Sequence, residues 1–232
     1  MKQLLIGALH SLTRRLEHGR PPKAPLDPLR EITRRIGDDW KESVYYDQAE
    51  ASMPALWADL IWPLIADCDF SVVLDLAAGH GRNTEKLRQH ARRVFVADIN
   101  EENIAFCRRR FAGDSRIDFI PCDGLTLPGI PDGTVSLVYT FDAMVHFDSD
   151  TVRAYLKEFR RILKQGGRGF CHHSNHTSNP SGDFHESPGW RNFMSRELFE
   201  HYAHKEGLAV VKATVVDWSA DQLDCLTVFE RR

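Results

Sequence analysis

The stretch VLDLAAGHGRNT, Val73 to Thr84, decides how the rest of the chain is read. Its first half, preceded by Ser71 and Val72, is an apolar run interrupted only by Asp75, the pattern of a buried strand. Its second half is a turn of small residues carrying Gly79 and Gly81, and Arg82, Asn83 and Thr84 lead from it into a helical pattern. Glycine at both turn positions keeps Cβ atoms out of the way of a ligand. The start of the following helix, near Asn83, offers free N–H groups and a partial positive charge. Strand, glycine turn and helix together predict a ligand over the turn.

Downstream, strand and helix signals alternate. RVFVAD (93–98), RIDFIP (116–121), TVSLVYT (134–140) and RGFCHHS (168–174) read as strands, with helices over 83–90, 101–111 and 151–164. Gly166 and Gly167 are expected to end the third of these helices in a left-handed cap. Ser195 and Gly207 bracket a further helix, and 208–218 and 223–232 close the chain as two strands with no helix between them. The expected fold class is α/β: a seven-stranded, mostly parallel sheet with one antiparallel edge strand and helices on both faces.

Upstream lies an expected N-terminal helical extension and lid, residues 1–66, ahead of the main domain, 67–232. Leu5, Leu9, Leu12 and Leu16 recur at helical spacing and predict an apolar stripe packed on the domain or on a second copy, so a homodimer is one expected state. RPPKAPLDP (20–28) reads as a linker. WKESVYYDQAEASM (40–53) supplies Trp40, Tyr45 and Tyr46 as lid candidates, with core packing as their alternative role.

Composition narrows the function. A net charge of −3 and a pI near 6.4 give no electrostatic footprint for nucleic acid, and there is no NPPY-type motif for a flipped base. The five cysteines are scattered and never form CxxC, as expected of reduced thiols in a cytoplasmic protein rather than a disulfide frame or zinc site. No apolar run is long enough to span a bilayer, and the N-terminus lacks a cleavage signal.

The turn itself lacks GK[ST] and any lysine, which argues against a P-loop. A dinucleotide site is the closer rival, but Thr84 stands where a third glycine would allow close packing around a pyrophosphate. Asp75, Asp98 and Asp123 lie at or near the ends of three successive strands. Three carboxylates suit a ligand with an ammonium group, a ribose and an adenine amine but no phosphate. S-adenosylmethionine is such a ligand.

At this point the sequence resembles the class I S-adenosylmethionine-dependent methyltransferases over Ser71 to Arg232. VLDLAAGHGR is similar to the first family motif, VADIN to the second, FIPCDG to the third and VYTFDAMVHF to the fourth, while LKEFRRILKQGGRGF resembles the helix, glycine turn and fifth strand. Ala77 departs from a glycine common in the family. The resemblance implies a Rossmann-like sheet and a bound S-adenosylmethionine. It implies that Ala77 to Gly81 border the methionine part with Asp75 near its ammonium group, aided by Asn83. It further implies that Asp98 holds the ribose, Ile99 flanks the adenine, Asp123 and Gly124 meet the adenine edge, and Phe141 and Asp142 lie beside the reacting methyl.

The acceptor is read from two places. Asp142 and His146, four residues apart, are expected on one helical turn as candidate bases for a hydroxyl acceptor. CHHSNHTSNPSGDFHESPGWRNFMS (171–195) is a polar, histidine-rich stretch expected to shape the acceptor pocket. No recognised ligand spacing supports a metal there, so a divalent ion such as Mg²⁺ is the lesser option. His172, Asn175, His176, Trp190, Arg191 and Asn192 are candidate substrate residues, and His173 a further catalytic candidate. Together with Met194 and Asp224, residues of this stretch also resemble, more faintly, methyltransferases of polysaccharide biosynthesis. The expected activity is O-methylation of a sugar hydroxyl. The alternatives are O- or N-methylation of another small molecule, or a non-catalytic donor-binding partner subunit.

Overall fold

This computed structural model describes residues 27–41, 44–180 and 184–232; the expected helix around Leu5 to Leu16 and most of the proline linker lie outside them. The described strands are β1 (Val72–Leu76), β2 (Arg93–Asp98), β3 (Ile117–Pro121), β4 (Val135–Thr140), β5 (Leu163–Ser174), β6 (Leu208–Val216) and β7 (Asp224–Arg231). They form one sheet in the order β3-β2-β1-β4-β5-β7-β6. β1 to β5 are parallel. The last two strands pair antiparallel at one edge, as their lack of a crossover helix predicts. The reversed strand, β7, is inserted between β5 and the edge strand β6.

Alternate residues along each strand feed opposite faces. Leu74, Leu76, Phe95 and Val138 meet Leu156, Phe159 and Phe199 in one core. Val73, Val94, Val96, Leu137 and Tyr139 meet Trp57, Ile61, Ile65 and Leu87 in the other. The described helices are α1 (Pro28–Asp38), α2 (Tyr45–Leu56), α3 (Trp62–Ile65), α4 (Arg82–Leu87), α5 (Glu101–Arg110), α6 (Ser149–Ile162) and α7 (Arg196–Lys205). A π turn, Trp57–Ile61, joins α2 to α3. It precedes Pro63, which has no N–H to return to residue 59, so the hydrogen-bond ladder must loosen there. The expected extension thus shares the domain core from Met53 onward.

Two boundaries differ from expectation for physical reasons. α6 stops at Ile162, before the glycine pair. Leu163 is fully buried and already pairs with Val135, so its burial in the sheet wins over another residue of helix. Gly166, at φ +71°, bends the start of β5 instead of capping a helix. α7 begins as predicted, with Ser195 Oγ accepting from the Leu198 N–H at 3.1 Å, and the left-handed Gly207 follows its end.

Strand order reverses between β1 and β4, and a crevice opens at the carboxyl ends of the strands there. α1 closes this crevice from above. Thr33 bonds Thr151 of α6 at 2.8 Å, and Arg30 pairs with Asp123 after β3. Among the described residues, no helix is long and apolar enough to cross a membrane.

Candidate active site

The crevice holds a cavity of about 910 Å³, a figure that counts the open solvent at its mouth. Its lining carries three carboxylates, Glu50, Asp98 and Asp142, against one guanidinium, Arg82. That guanidinium is already committed, since Arg82 Nη2 donates to Asp142 at 2.5 Å. Glu50 is likewise paired with Arg110, so among the described residues of the lining a phosphate would meet no uncommitted arginine or lysine, whereas a cationic ligand would meet Asp98, whose donors there are all neutral.

The wall at one end comes from the ends of β1 and β2. Asp98 closes β2 and accepts from the N–H groups of Gly79 (2.9 Å) and Asn100 (2.8 Å) and from the Asn103 amide (3.2 Å). Burial pushes its carboxyl upward despite these donors. Ala77, Asn83, Ile99, Gly124 and Phe141 line the same end. Asp75 lies beneath the turn rather than in the wall: Oδ2 accepts from the Thr84 hydroxyl at 2.5 Å, and Oδ1 is buried with no hydrogen-bond partner among the described residues. Burial raises the Asp75 carboxyl to about 7, so a nearby cation would find there a carboxylate ready to ionise. These buried acids fit a sulfonium donor with a ribose and an ammonium group.

Three expectations about this end need correction. Asp123 does not face the main cavity: its oxygens accept from Leu125, Thr126 and Arg30, which tie down the turn after β3. The space over Gly79, at φ +55°, is taken by Tyr46, whose ring would clash with any Cβ there. The space over Gly81, at φ +82°, is taken by Phe111. Both glycines thus serve side-chain packing and left-handed backbone, and Tyr46 is the group that covers the turn.

The other end carries Asp142, Ala143 and His146, with Trp40 4.5 Å from the His146 ring, Tyr45 bonded to Asp142, and Phe147. Asp142 and His146 both reach it, but not on one helical turn. Asp142 is left-handed, at φ +60°, and only Met144–His146 form a short 3₁₀ turn. The Asp142 carboxylate accepts from Tyr45 Oη and from Arg82, so it is ion-paired rather than a free base. Burial, with the charge of Asp142 beside it, pushes the Tyr45 hydroxyl up to about 12. His146 is 6 % exposed, and its Nδ1 lies 2.8 Å from the Trp190 carbonyl. A carbonyl only accepts, so Nδ1 carries the proton and Nε2 the lone pair. Burial lowers His146 to about 4, which keeps it neutral at pH 7.

The described residues of the histidine-rich stretch do not line this cavity. His173 is fully buried between the Ser174 carbonyl and Thr227, stacked 4.1 Å from Phe199, so it packs the core and cannot touch a substrate there. His172 bonds Asp224 and the Asp142 N–H. Asn175 ties Gln222 to Arg196, and His176 forms a backbone bridge with Phe193. Arg191 is buried in a two-pronged ion pair with Asp224, and Asn192 donates to the His146 carbonyl. Trp190, 40 % exposed, meets Trp40 edge-on at 5.7 Å. Among the described residues no group of three or more His, Cys, Asp or Glu side chains is placed to hold a metal.

Sequence reasoning missed Arg82, Thr33, Ile36, Phe147 and Tyr155, which all line the cavity. Tyr155 reads as core because it shares the apolar face of α6. Arg82 had a signal: an arginine straight after a glycine turn, opening a helix, is badly placed for the helix dipole and needs a nearby acid.

Residues 73–167 match the methyltransferase domain family. A demethylmenaquinone methyltransferase of Clavibacter sepedonicus is 35% identical over 117 residues, 49% of this chain and 45% of that protein. Methyltransferase nsrG of Aspergillus novofumigatus is 28% identical over 130 residues, 54% of this chain and 50% of that protein. The chain spans about half the length of these curated relatives. The geranyl diphosphate C-methyltransferase of Streptomyces coelicolor A3(2), solved with Mg²⁺, geranyl diphosphate and S-adenosyl-L-homocysteine, shares the fold at a TM-score of 0.65, with 14% identity. That alignment covers 90% of this chain and all of the other. The methyltransferase domain match at 73–167 thus falls on the strands and the acid-lined crevice at the sheet's reversal point, in a fold shared with solved S-adenosylmethionine-dependent methyltransferases.

Proposed function

We propose that this protein transfers a methyl group from S-adenosylmethionine to a hydroxyl on a small, largely apolar, ring-bearing acceptor. The observation that carries the reading is His146. It presents a lone-pair nitrogen that makes no hydrogen bond among the described residues, in a cavity whose lining nearby includes Trp40, Tyr45 and Phe147. Such walls favour a flat ring over a hydrated polyol. Of the residues that the saccharide reading draws on, His172, Asn175, Arg191 and Asn192 have side-chain polar groups engaged elsewhere. The acceptors named for two of the relatives, demethylmenaquinone and geranyl diphosphate, are not saccharides either.

S-adenosylmethionine, when bound, supplies an electrophilic methyl carbon on a positively charged sulfur. Asp98 would hold the ribose and Ile99 flank the adenine, while Asp75 would balance the ammonium charge from beneath the turn. Tyr46 and α1 would exclude water from above. Phe141 and Trp40 would fix the acceptor ring, and His146 Nε2 would take the hydroxyl proton as the new oxygen–carbon bond forms. Asp142 would hold Tyr45 and Arg82 in place rather than move a proton.

Two measurements test this. Assayed by mass spectrometry, transfer should occur to hydroxylated aromatics such as naphthols and catechols and not to monosaccharides; the reverse pattern sinks the ring-acceptor reading. His146→Gln should cut turnover by about 10²-fold, the scale of a lost general base. The base works unprotonated, and burial holds His146 at about 4. The acid limb of kcat/KM should therefore fall near pH 4, not near the ordinary imidazole value. Full turnover in His146→Gln would remove the base.

A further inference from the structure

We propose that Asp224 is a positioning residue: one buried carboxylate at the start of β7 anchors both hydrogen-bond chains that hold Asp142 and His146 at the acceptor end of the cavity. The inference rests on the reading of that end given above, and its wiring can be tested without an acceptor.

The first chain runs to Asp142. A non-glycine residue at φ +60° is strained and persists only where its surroundings insist on it. Here the Asp142 N–H donates to His172 Nδ1 at 3.2 Å. The lone pair is then on Nδ1 and the proton on Nε2, which donates to Asp224 Oδ2 at 2.9 Å. A carboxylate only accepts, so the chain has one direction.

The second chain runs to His146. Arg191 grips the same carboxylate with Nε on Oδ1 at 2.9 Å and Nη2 on Oδ2 at 2.6 Å. Its Nη1 donates to the Gly189 carbonyl at 2.6 Å, which ties the turn Pro188–Trp190 to the ion pair. Within that turn the Trp190 carbonyl takes the His146 Nδ1 proton. Asn192, the residue after Arg191, adds bonds to the Val145 and His146 carbonyls at 3.1 and 3.2 Å. The lone pair on His146 Nε2 therefore depends on where Asp224 puts Arg191.

Asp224 is suited to this. It is fully buried, and its backbone is fixed between Ser174 and Val216 in the sheet. Burial alone would raise its carboxyl, but the donors from Arg191 and His172 outweigh it and hold it below the ordinary carboxylate range. It does not line the cavity, so any influence on the reaction passes through other side chains. An amide in its place would turn an NH₂ toward either Arg191 or His172, donor against donor. If His172 then changed tautomer, its Nδ1–H would oppose the Asp142 N–H.

The test is nitrogen NMR on the full chain carrying ¹⁵N-histidine, with His146 assigned from His146→Gln and binding of S-adenosylhomocysteine followed by calorimetry. The wild type should show His146 as the single Nδ1–H tautomer. Asp224→Asn should convert it to a mixture while S-adenosylhomocysteine affinity stays within about threefold. Wild-type His146 signals in a variant that still binds overturn the proposal. If Asp224→Asn fails to fold, Arg191→Lys, which keeps the charge but loses the fork, decides by the same signals. A mixture supports the wiring, and a single tautomer overturns it. Full methyl transfer by His146→Gln would instead remove the catalytic reading and leave this wiring standing.

Discussion

Replacing Asp98 with alanine is expected to weaken S-adenosylhomocysteine binding by about 100-fold or more, measured by calorimetry. Hydrogen bonds to a charged group contribute about 1.5–3 kcal/mol each, and two ribose hydroxyls would donate to this one carboxylate. At about 1.4 kcal/mol per tenfold, the pair accounts for two to four decades of affinity. A second loss adds to the first. Asp98 also accepts the Gly79 N–H at 2.9 Å, so its removal leaves a buried donor unpaired in the very turn that borders the ligand. Asp98→Asn keeps one acceptor oxygen without the charge and should fall between the two. An Asp98→Ala variant that folds and binds within threefold of wild type would end the ribose assignment.

Asp98 was legible in the sequence because its position is a strand-end position. An apolar run of fixed length, closed by an acid, puts that acid at the carboxyl edge of the sheet whatever the rest of the chain does. Asp123 shows where such reasoning stops. The same strand-end logic places it near the crevice, but the sequence does not say that Arg30 of α1 would cross over and engage it. The histidine-rich stretch failed as a guide for the same reason. Its composition is polar, yet His172 and Arg191 find their partner, Asp224, 52 and 33 residues later. Such pairings are fixed by the register of β5 on β7, which periodicity cannot reveal. The misplaced end of α6 is smaller in kind: a glycine signal is local, and the burial of Leu163 against Val135 is not.

Arg82→Ala is expected to destabilise the protein by about 3–5 kcal/mol, because it strips the guanidinium from a carboxylate that stays buried. The Arg82 and Asp142 side chains are 10% and 4% exposed, so water cannot replace what is lost. Arg82 Nη1 also donates to the Ala49 carbonyl at 3.1 Å, and the guanidinium lies 5.7 Å from the Tyr45 ring centre, so α2 loses an anchor as well. For a chain of this size each kcal/mol shifts Tm by about 2–4 °C, which puts the expected fall near 10 °C. Cost and role can be separated with a second change. Asp142→Asn relieves the stranded charge, so the pair Arg82→Met with Asp142→Asn should recover roughly half the loss, a coupling of about 2 kcal/mol. That double variant should still bind S-adenosylhomocysteine, since Asp98 is untouched, but should transfer methyl groups poorly, since residue 142 would meet Tyr45 without its charge. A Tm for Arg82→Ala within 2 °C of wild type would mean that the ion pair is not formed in solution. The left-handed Asp142 would then lack the restraint that its place beside the acceptor requires.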